Sequence, residues 1–385
     1  MPGEAGWPAR LALAWRILAH DKGRTALAVA GVFLAILLVF VQLGFFIAVP
    51  RGGMLLYDRT QFDLLVASTA YEYQVQPGEF PLNQLDKART APEVALAAPL
   101  YFGYAKWRSG EGGKALDVFV IGLDPRAPIF MSEDIDHQLA VLDQADTALV
   151  DSMTRPMFGP QTTGRVVEIG GDKVKIGGDY VLGTGFMGLG VILVSAQNFV
   201  RLFPYRKLEQ VNLGLIQLKQ GVDPDRAAAS LRKFLDSDIQ IFTRPELEAH
   251  ETAYWTTRTS VGLLFGSGLI VSFIVGVMVV YQILATQVSR QLPQFATLKA
   301  VGYADRFLGG TVITMALLIV LAGFFPALVA ALGIYAVIRE ETLLPVEMSG
   351  TRVAAVFAAT LAMAAASALL SMSSLRRADP ADLFS

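Results

Sequence analysis

The sequence predicts a membrane protein of four transmembrane α-helices with a large α+β extracytoplasmic domain inserted between the first and the second. Three observations carry that prediction. Uncharged runs at Thr25–Pro50, Thr259–Ser289, Phe307–Ile338 and Val353–Leu375 each exceed the roughly 20 residues needed to cross a bilayer. Residues 51–258 change character, with Pro, Gly and charges throughout and no apolar run of that length. Composition agrees: 53% of residues are hydrophobic and 17% charged, where an ordinary soluble domain carries about a quarter charged.

Residues 1–24 are expected to form a cytoplasmic amphipathic helix. Arg10, Arg16, Lys22 and Arg24 alternate there with Leu11, Trp15 and Leu18 at helical intervals, as suits a helix at the membrane interface. A secretory signal peptide is the competing reading. Against it, the apolar run at 25–50 is too long for a signal core, and no A-x-A cleavage site follows closely. The first span is therefore expected to be 25–50, with the N-terminus inside.

The outer domain is assigned to 51–258. Strand signals fall at Phe62–Ala67, Val118–Gly122, Ala148–Asp151, Arg165–Ile169, Lys173–Ile176, Val191–Ser195 and Asn212–Leu218, with a Gly170-Gly171-Asp172 turn that predicts a hairpin. Helical patterns occupy Leu82–Ala91, Ser195–Phe203 and Pro224–Leu235, the last capped by Asp223. With no cysteine in the chain, this domain has no disulfides and must fold on its own core. A helix from Arg244, with Thr243 as cap and Pro245 in its first turn, reads without a clear breaker into the second span. Tyr254 and Trp255 would mark the outer membrane interface.

The second span is placed at 259–285, and the Lys/Arg-bearing stretch after it argues that 286–307 is cytoplasmic. Proline cannot extend a hydrogen-bond ladder, so Leu292-Pro293 should end one helix and open a short new one. Phe295, Leu298 and Val301 or Gly302 then share a face. That rod is either a handle for a soluble partner or an ordinary connection. The third span is 308–337, the fourth 353–374, with a short acidic outer loop at 338–352 and a cytoplasmic tail at 375–385. Small residues Gly262, Gly266 and Ser267 permit close helix packing, within the subunit or across a two-fold axis.

Several function classes drop out. No charged residue interrupts a span, so no proton or ion relay is visible, and a net charge of -2 without a basic stripe gives no case for nucleic acid. G-x-G-x-x-G at Gly183–Gly188 precedes a strand signal rather than a helix, which excludes a dinucleotide fold there. His250-Glu251 begins H-E-x-x-H, but Tyr254 stands where the second zinc ligand belongs. Glu133, Asp134, Asp136 and His137 lack calcium-loop spacing and read as a solvated loop. With no P-loop motif and no grouping of nucleophile, base and orienting residue, the chain is expected to be neither an ATPase nor another enzyme, and no cofactor or metal site is assigned.

Leu292–Tyr303 (LPQFATLKAVGY), Tyr281–Leu284 (YQIL), Tyr254-Trp255, Gly214–Gly221 (GLIQLKQG) and Leu149–Pro160 (LVDSMTRPMFGP) together resemble the DevC subfamily of FtsX/MacB-type (type VII) ABC transporter permeases. The resemblance implies a homodimeric inner-membrane permease with both termini cytoplasmic. Its partners would be a cytoplasmic ABC ATPase dimer that binds ATP and Mg, a periplasmic membrane-fusion protein, a TolC-like outer-membrane channel and membrane lipids, and its cargo lipid-like or amphipathic. It places Leu292, Pro293, Gln294, Phe295, Ala296, Thr297, Leu298, Lys299 and Gly302 on an ATPase-coupling helix. It also matches Arg376, Arg377, Asp379 and Pro380 to a terminal cytoplasmic motif. Arg290-Gln291 and Gln294 depart from the subfamily's Asp-His before, and Glu after, the Leu-Pro pair, which puts one charged contact with the ATPase in question. Within the same architecture stand a lipoprotein-releasing permease and an FtsX-like mechanotransmitter that regulates a cell-wall hydrolase.

Overall fold

A strand buried on one face alternates apolar and polar residues, whereas one buried on both faces reads as an unbroken apolar run. The runs found in the sequence are of the second kind, and the computed structural model shows why. It describes residues 7–109, 113–183, 185, 187–301, 303–342 and 344–375. These divide into two units, one within residues 7–48, 260–342 and 346–375, the other within residues 49–259 with 344–345.

The second unit is α+β. Its strands are β1 (Leu64–Ser68), β2 (Phe80–Pro81), β3 (Val94–Arg108), β4 (Leu116–Leu123), β5 (Thr147–Asp151), β6 (Val166–Ile169), β7 (Asp172–Tyr180), β8 (Val191–Ser195), β9 (Gln210–Val211), β10 (Leu213–Leu218) and β11 (Ile239–Thr243). Nine of them form one sheet in the order β11-β1-β10-β3-β4-β8-β5-β7-β6. β6 pairs again with β3, Trp107 opposite Ile169, so the strands from β3 to β6 close on themselves. The pairs β4–β8 and β5–β7 are parallel and the others antiparallel, including the β6–β7 hairpin at Gly170-Gly171.

Alternate residues enter two different cores. Val118 and Val120 join Leu64, Val66, Trp107, Ile192 and Val194 on one side, while Phe119 and Ile121 join Leu65, Leu149, Val191 and Leu193 on the other. On the first side lie the short helices at Asn83–Arg89 and Ala196–Leu202, the latter capped by Ser195 Oγ accepting from the Asn198 N–H at 3.2 Å. Both approach the sheet over glycines: a Cβ on Gly122 would meet Phe199 Cβ and Cγ at 2.8 Å, and one on Gly214 would run into Leu85. Gly122→Val is accordingly expected to lower stability by about 1–3 kcal/mol, because Phe199 has no room to retreat; a urea midpoint equal to that of the native chain would refute this contact.

The first unit holds the apolar helices. In chain order α1 is Trp7–His20 and α2 Lys22–Arg59; the module contributes α3 (Asn83–Arg89), α4 (Glu133–Leu139), α5 (Ala196–Leu202), α6 (Pro224–Phe234) and α7 (Arg244–Ala253); then follow α8 (Ser260–Ala300), α9 (Asp305–Thr342) and α10 (Gly350–Leu375). Among the described residues, four helices are long and apolar enough to cross a membrane: Lys22–Arg59, Ser260–Gln294, Arg306–Glu340 and Gly350–Ser371. Their packing uses small residues and local polar links. Gly276 faces Met363, the Ser367 hydroxyl donates to the Val277 carbonyl at 2.9 Å, and Tyr335 donates to the Phe40 carbonyl beside Gly44. α1 lies along the start of α9 and sends Ala14, Ile17 and Leu18 into this core, with the Arg10 guanidinium 5.8 Å from the Phe307 ring centre.

The helix that holds the expected first span, 25–50, continues to Arg59. Three sequence expectations require correction. No helix ends at Leu292-Pro293: α8 runs through to Ala300 with Pro293 inside it. Loss of the Pro293 N–H orphans the Ser289 carbonyl, and Ser289, Arg290 and Pro293 are all exposed, so water can satisfy it. The stretch around Asp136 is a helix of two turns rather than a loop. Finally, no single helix runs from Arg244 into the second span, because Tyr254–Arg258 forms a π-helical turn and Thr259 is extended (φ -106°, ψ 153°). Hydroxyls of Thr256, Thr257 and Thr259 bond the carbonyls of Thr252, Ala253 and Trp255, four residues back, and such back-bonding loosens a helix.

Candidate functional site

The segment matched to a coupling helix is the last third of α8. Val288 and Gln287 are buried and Leu298 packs into the helical core, so one side of the helix is held. Pro293, Gln294 and Thr297 are exposed, Leu292 half-buried, and the Thr297 hydroxyl donates to the Pro293 carbonyl at 2.8 Å. The turn after the helix closes with the Tyr303 N–H on the Leu298 carbonyl at 3.0 Å and the Tyr303 ring 4.9 Å from Phe307. The side chains of Phe295, Ala296 and Lys299, and all of Gly302, Arg376, Arg377, Asp379 and Pro380, lie outside the described residues. Gly262 is buried, and Gly266 faces Phe46, where a Cβ would sit 3.5 Å from the ring.

A second cluster, in the α+β unit, was not legible as a site. Glu251 on α7 is fully buried with no cation beside it. Its carboxylate accepts from the Tyr71 hydroxyl, which lies 2.7 Å from the Tyr57 hydroxyl, and the Gln74 backbone N–H and the Trp255 indole lie close enough to favour its charged form. Burial outweighs these bonds and pushes Glu251 up from its ordinary 4.5 to about 7. Gly53 leaves the space: a Cβ there would stand 2.9 Å from Trp255 Nε1 and 3.1 Å from Glu251 Oε2. Tyr73 stacks on Tyr254 at 4.5 Å and meets Trp255 edge-on at 5.4 Å. The pair read as an interfacial marker therefore packs within the module.

Arg244, at the head of α7, closes the same joint. It donates to the carbonyls of Tyr57 (3.0 Å), Thr60 (2.6 Å) and Phe62 (3.2 Å), and its guanidinium covers the Phe62 ring at 4.4 Å. The end of α2 and the start of α7 are thus tied by one cation and one carboxylate cluster, seven residues apart on α7.

Gly183–Gly188 is not a nucleotide loop. Its Gly183 N–H donates to the buried Asp151 carboxylate at 2.8 Å, Gly185 (φ +48°) would bring a Cβ within 2.6 Å of the Gly52 carbonyl, and β8 follows. Burial pushes Asp151 up to about 6 against three backbone N–H bonds, from Met153, Gly183 and Leu182. His250 turns to the Glu72 carbonyl at 3.1 Å, away from any shared ligand position with Glu251. The arrangement of these groups can hold and orient helices; it brings together no nucleophile and base.

Residues 25–234 match the family model described as MacB-like periplasmic core domain, and residues 266–380 match FtsX-like permease C-terminal. Among solved structures the chain is similar to the periplasmic region of MacB from Actinobacillus actinomycetemcomitans, with 8% identity over 50% of this chain and 94% of that one and a TM-score of 0.38. It is also similar to the extracellular domain of the noncanonic ABC-type transporter YknZ from Gram-positive bacteria, with 14% identity over 47% of this chain and 99% of that one and a TM-score of 0.34. No curated protein matches the chain.

Proposed function

This chain belongs to the FtsX/MacB-like family of ABC permeases, and from that premise we propose that it is the membrane subunit of a tripartite export system of the DevC kind. A separate cytoplasmic ATPase dimer binds and hydrolyses ATP. A homodimer of this chain, in the bacterial inner membrane with both termini cytoplasmic, passes the motion to its periplasmic module. That module works with a membrane-fusion protein and a TolC-like channel to expel a lipid-like or amphipathic cargo.

The observation that most supports this reading is the length of α8. Its 41 residues make a rod of about 60 Å, roughly twice the hydrocarbon thickness, so its charged end projects beyond the bilayer. That projecting end exposes Pro293, Gln294 and Thr297 while Leu298 anchors it to the helical core. A partner seated there would act on the helix itself rather than on a loose connection. Motion of packed rigid elements is a common way to transmit a nucleotide-driven change.

The test uses the full chain reconstituted with the ATPase that co-purifies with it. Thr297→Arg and Gln294→Arg change exposed positions and should leave insertion intact while reducing stimulation of ATP hydrolysis at least tenfold. Unchanged stimulation in both would remove the proposed contact. The co-purified periplasmic partner separates the outputs: a fusion protein supports export, a lipoprotein carrier supports release, and a cell-wall hydrolase supports signalling.

A further inference from the structure

The helical unit carries an apolar groove that the coupling role does not use. It is a cavity of about 410 Å³ lined by Trp15, Leu18 and Ala19 of α1, Thr25, Ala26 and Val29 of α2, and Leu318, Ile319 and Ala322 of α9, with Lys22 at its rim. The volume lies within the range of small-molecule sites, roughly 300–1,000 Å³. Of the polar lining groups besides Lys22, the Thr25 hydroxyl is already engaged, donating to the Leu18 carbonyl at 2.7 Å, and the other is the Trp15 indole N–H. The walls offer a polar ligand little beyond Lys22 and that single indole donor, so the body of the occupant must be hydrocarbon.

The rim supplies charge of one sign. Arg24 pairs with Asp21 at 2.9 Å, while Lys22 and Arg16 are exposed and in no ion pair among the described residues. Position matters as much as sign. After Arg24 no charged residue occurs until Arg51, so the edge of the hydrocarbon falls between Lys22 and Thr25, with Ala26 and Val29 on its apolar side. Trp15, 63% exposed beside the rim, is the residue type that settles at that depth. An apolar cleft on the hydrocarbon side with an exposed ammonium at headgroup depth matches one constituent of the membrane. We propose that this groove is a binding site for an anionic phospholipid, one acyl chain lying between α1, α2 and α9 and the phosphate on Lys22. Basic sites beside transmembrane helices take anionic headgroups by this combination.

The experiment compares full-length protein in micelles mixed with equal amounts of dioleoylphosphatidylglycerol and dioleoylphosphatidylcholine, counting retained lipids by native mass spectrometry. The native chain should retain one lipid per chain with a preference for phosphatidylglycerol. Lys22→Gln should lower that preference about fivefold while leaving chain occupancy. Ala26→Phe with Ala322→Phe fills the groove from two exposed positions, so folding is not at risk, and should remove the retained lipid whatever its headgroup. Equal retention in native and filled variants would mean only annular lipid and would overturn the proposal, as would a preference insensitive to Lys22→Gln.

Discussion

Replacing Glu251 with glutamine is expected to flatten a pH dependence worth about 3 kcal/mol in the stability of the α+β unit. The folded state raises the affinity of this carboxyl for its proton, from an ordinary 4.5 to about 7. Between those values the folded chain holds more protons than the unfolded one, so stability is greatest below about pH 4.5, falls as pH rises, and levels off above about 7. Asp151 acts in the same direction up to about 6, so the native chain retains some slope when Glu251 is gone. The difference between native and Glu251→Gln denaturation midpoints, taken from pH 4.5 to 8, isolates Glu251. Trp255, whose indole lies with the carboxylate around Gly53, is a convenient fluorophore for it. Parallel curves would show that the carboxyl is solvated and the cluster is not closed.

Arg244→Met should destabilise the same joint by about 3 kcal/mol or more. Methionine keeps much of the side-chain volume and removes every donor. The carbonyls of Tyr57, Thr60 and Phe62 then lose charge-assisted partners worth roughly 1.5–3 kcal/mol each, part of which water returns. Tyr57 and Thr60 are both fully buried, so water reaches their carbonyls least. Arg244→Lys should recover only part of the loss, because an ammonium cannot span three carbonyls as a planar fork does. Urea unfolding of the three proteins reads the order directly, and equal stability of the methionine and native chains would show that the tie contributes nothing.

The spans and most strands of the module were legible because burial on both faces writes itself as an apolar run; β8, Val191–Ser195, has the bounds its sequence indicates. β3 was missed. Pro99 and Gly103 argue against a central strand, and Tyr104, Lys106 and Arg108 are exposed, yet its first half pairs with β10 and its second with β4. Each half obeys its own neighbours, which a local pattern cannot reveal. Pro293 misled for a different reason: its helix face is open to water, so the missing donor carries little penalty there. The Glu251 cluster joins Tyr57 and Tyr71 to a residue 180 positions beyond Tyr71, and in sequence it shows only as a truncated zinc motif.

β11 is the outermost strand at one end of the sheet, and Arg232 on α6 donates twice to its Ile241 carbonyl, at 2.6 and 3.2 Å. An unguarded margin of this kind is where a stranger's backbone can zip on and seed aggregates. Because the opposite end folds back onto β3, the guanidinium bars the seam most open to such templating. With Arg232 in place, one acceptor that an added strand would need at Ile241 is already taken.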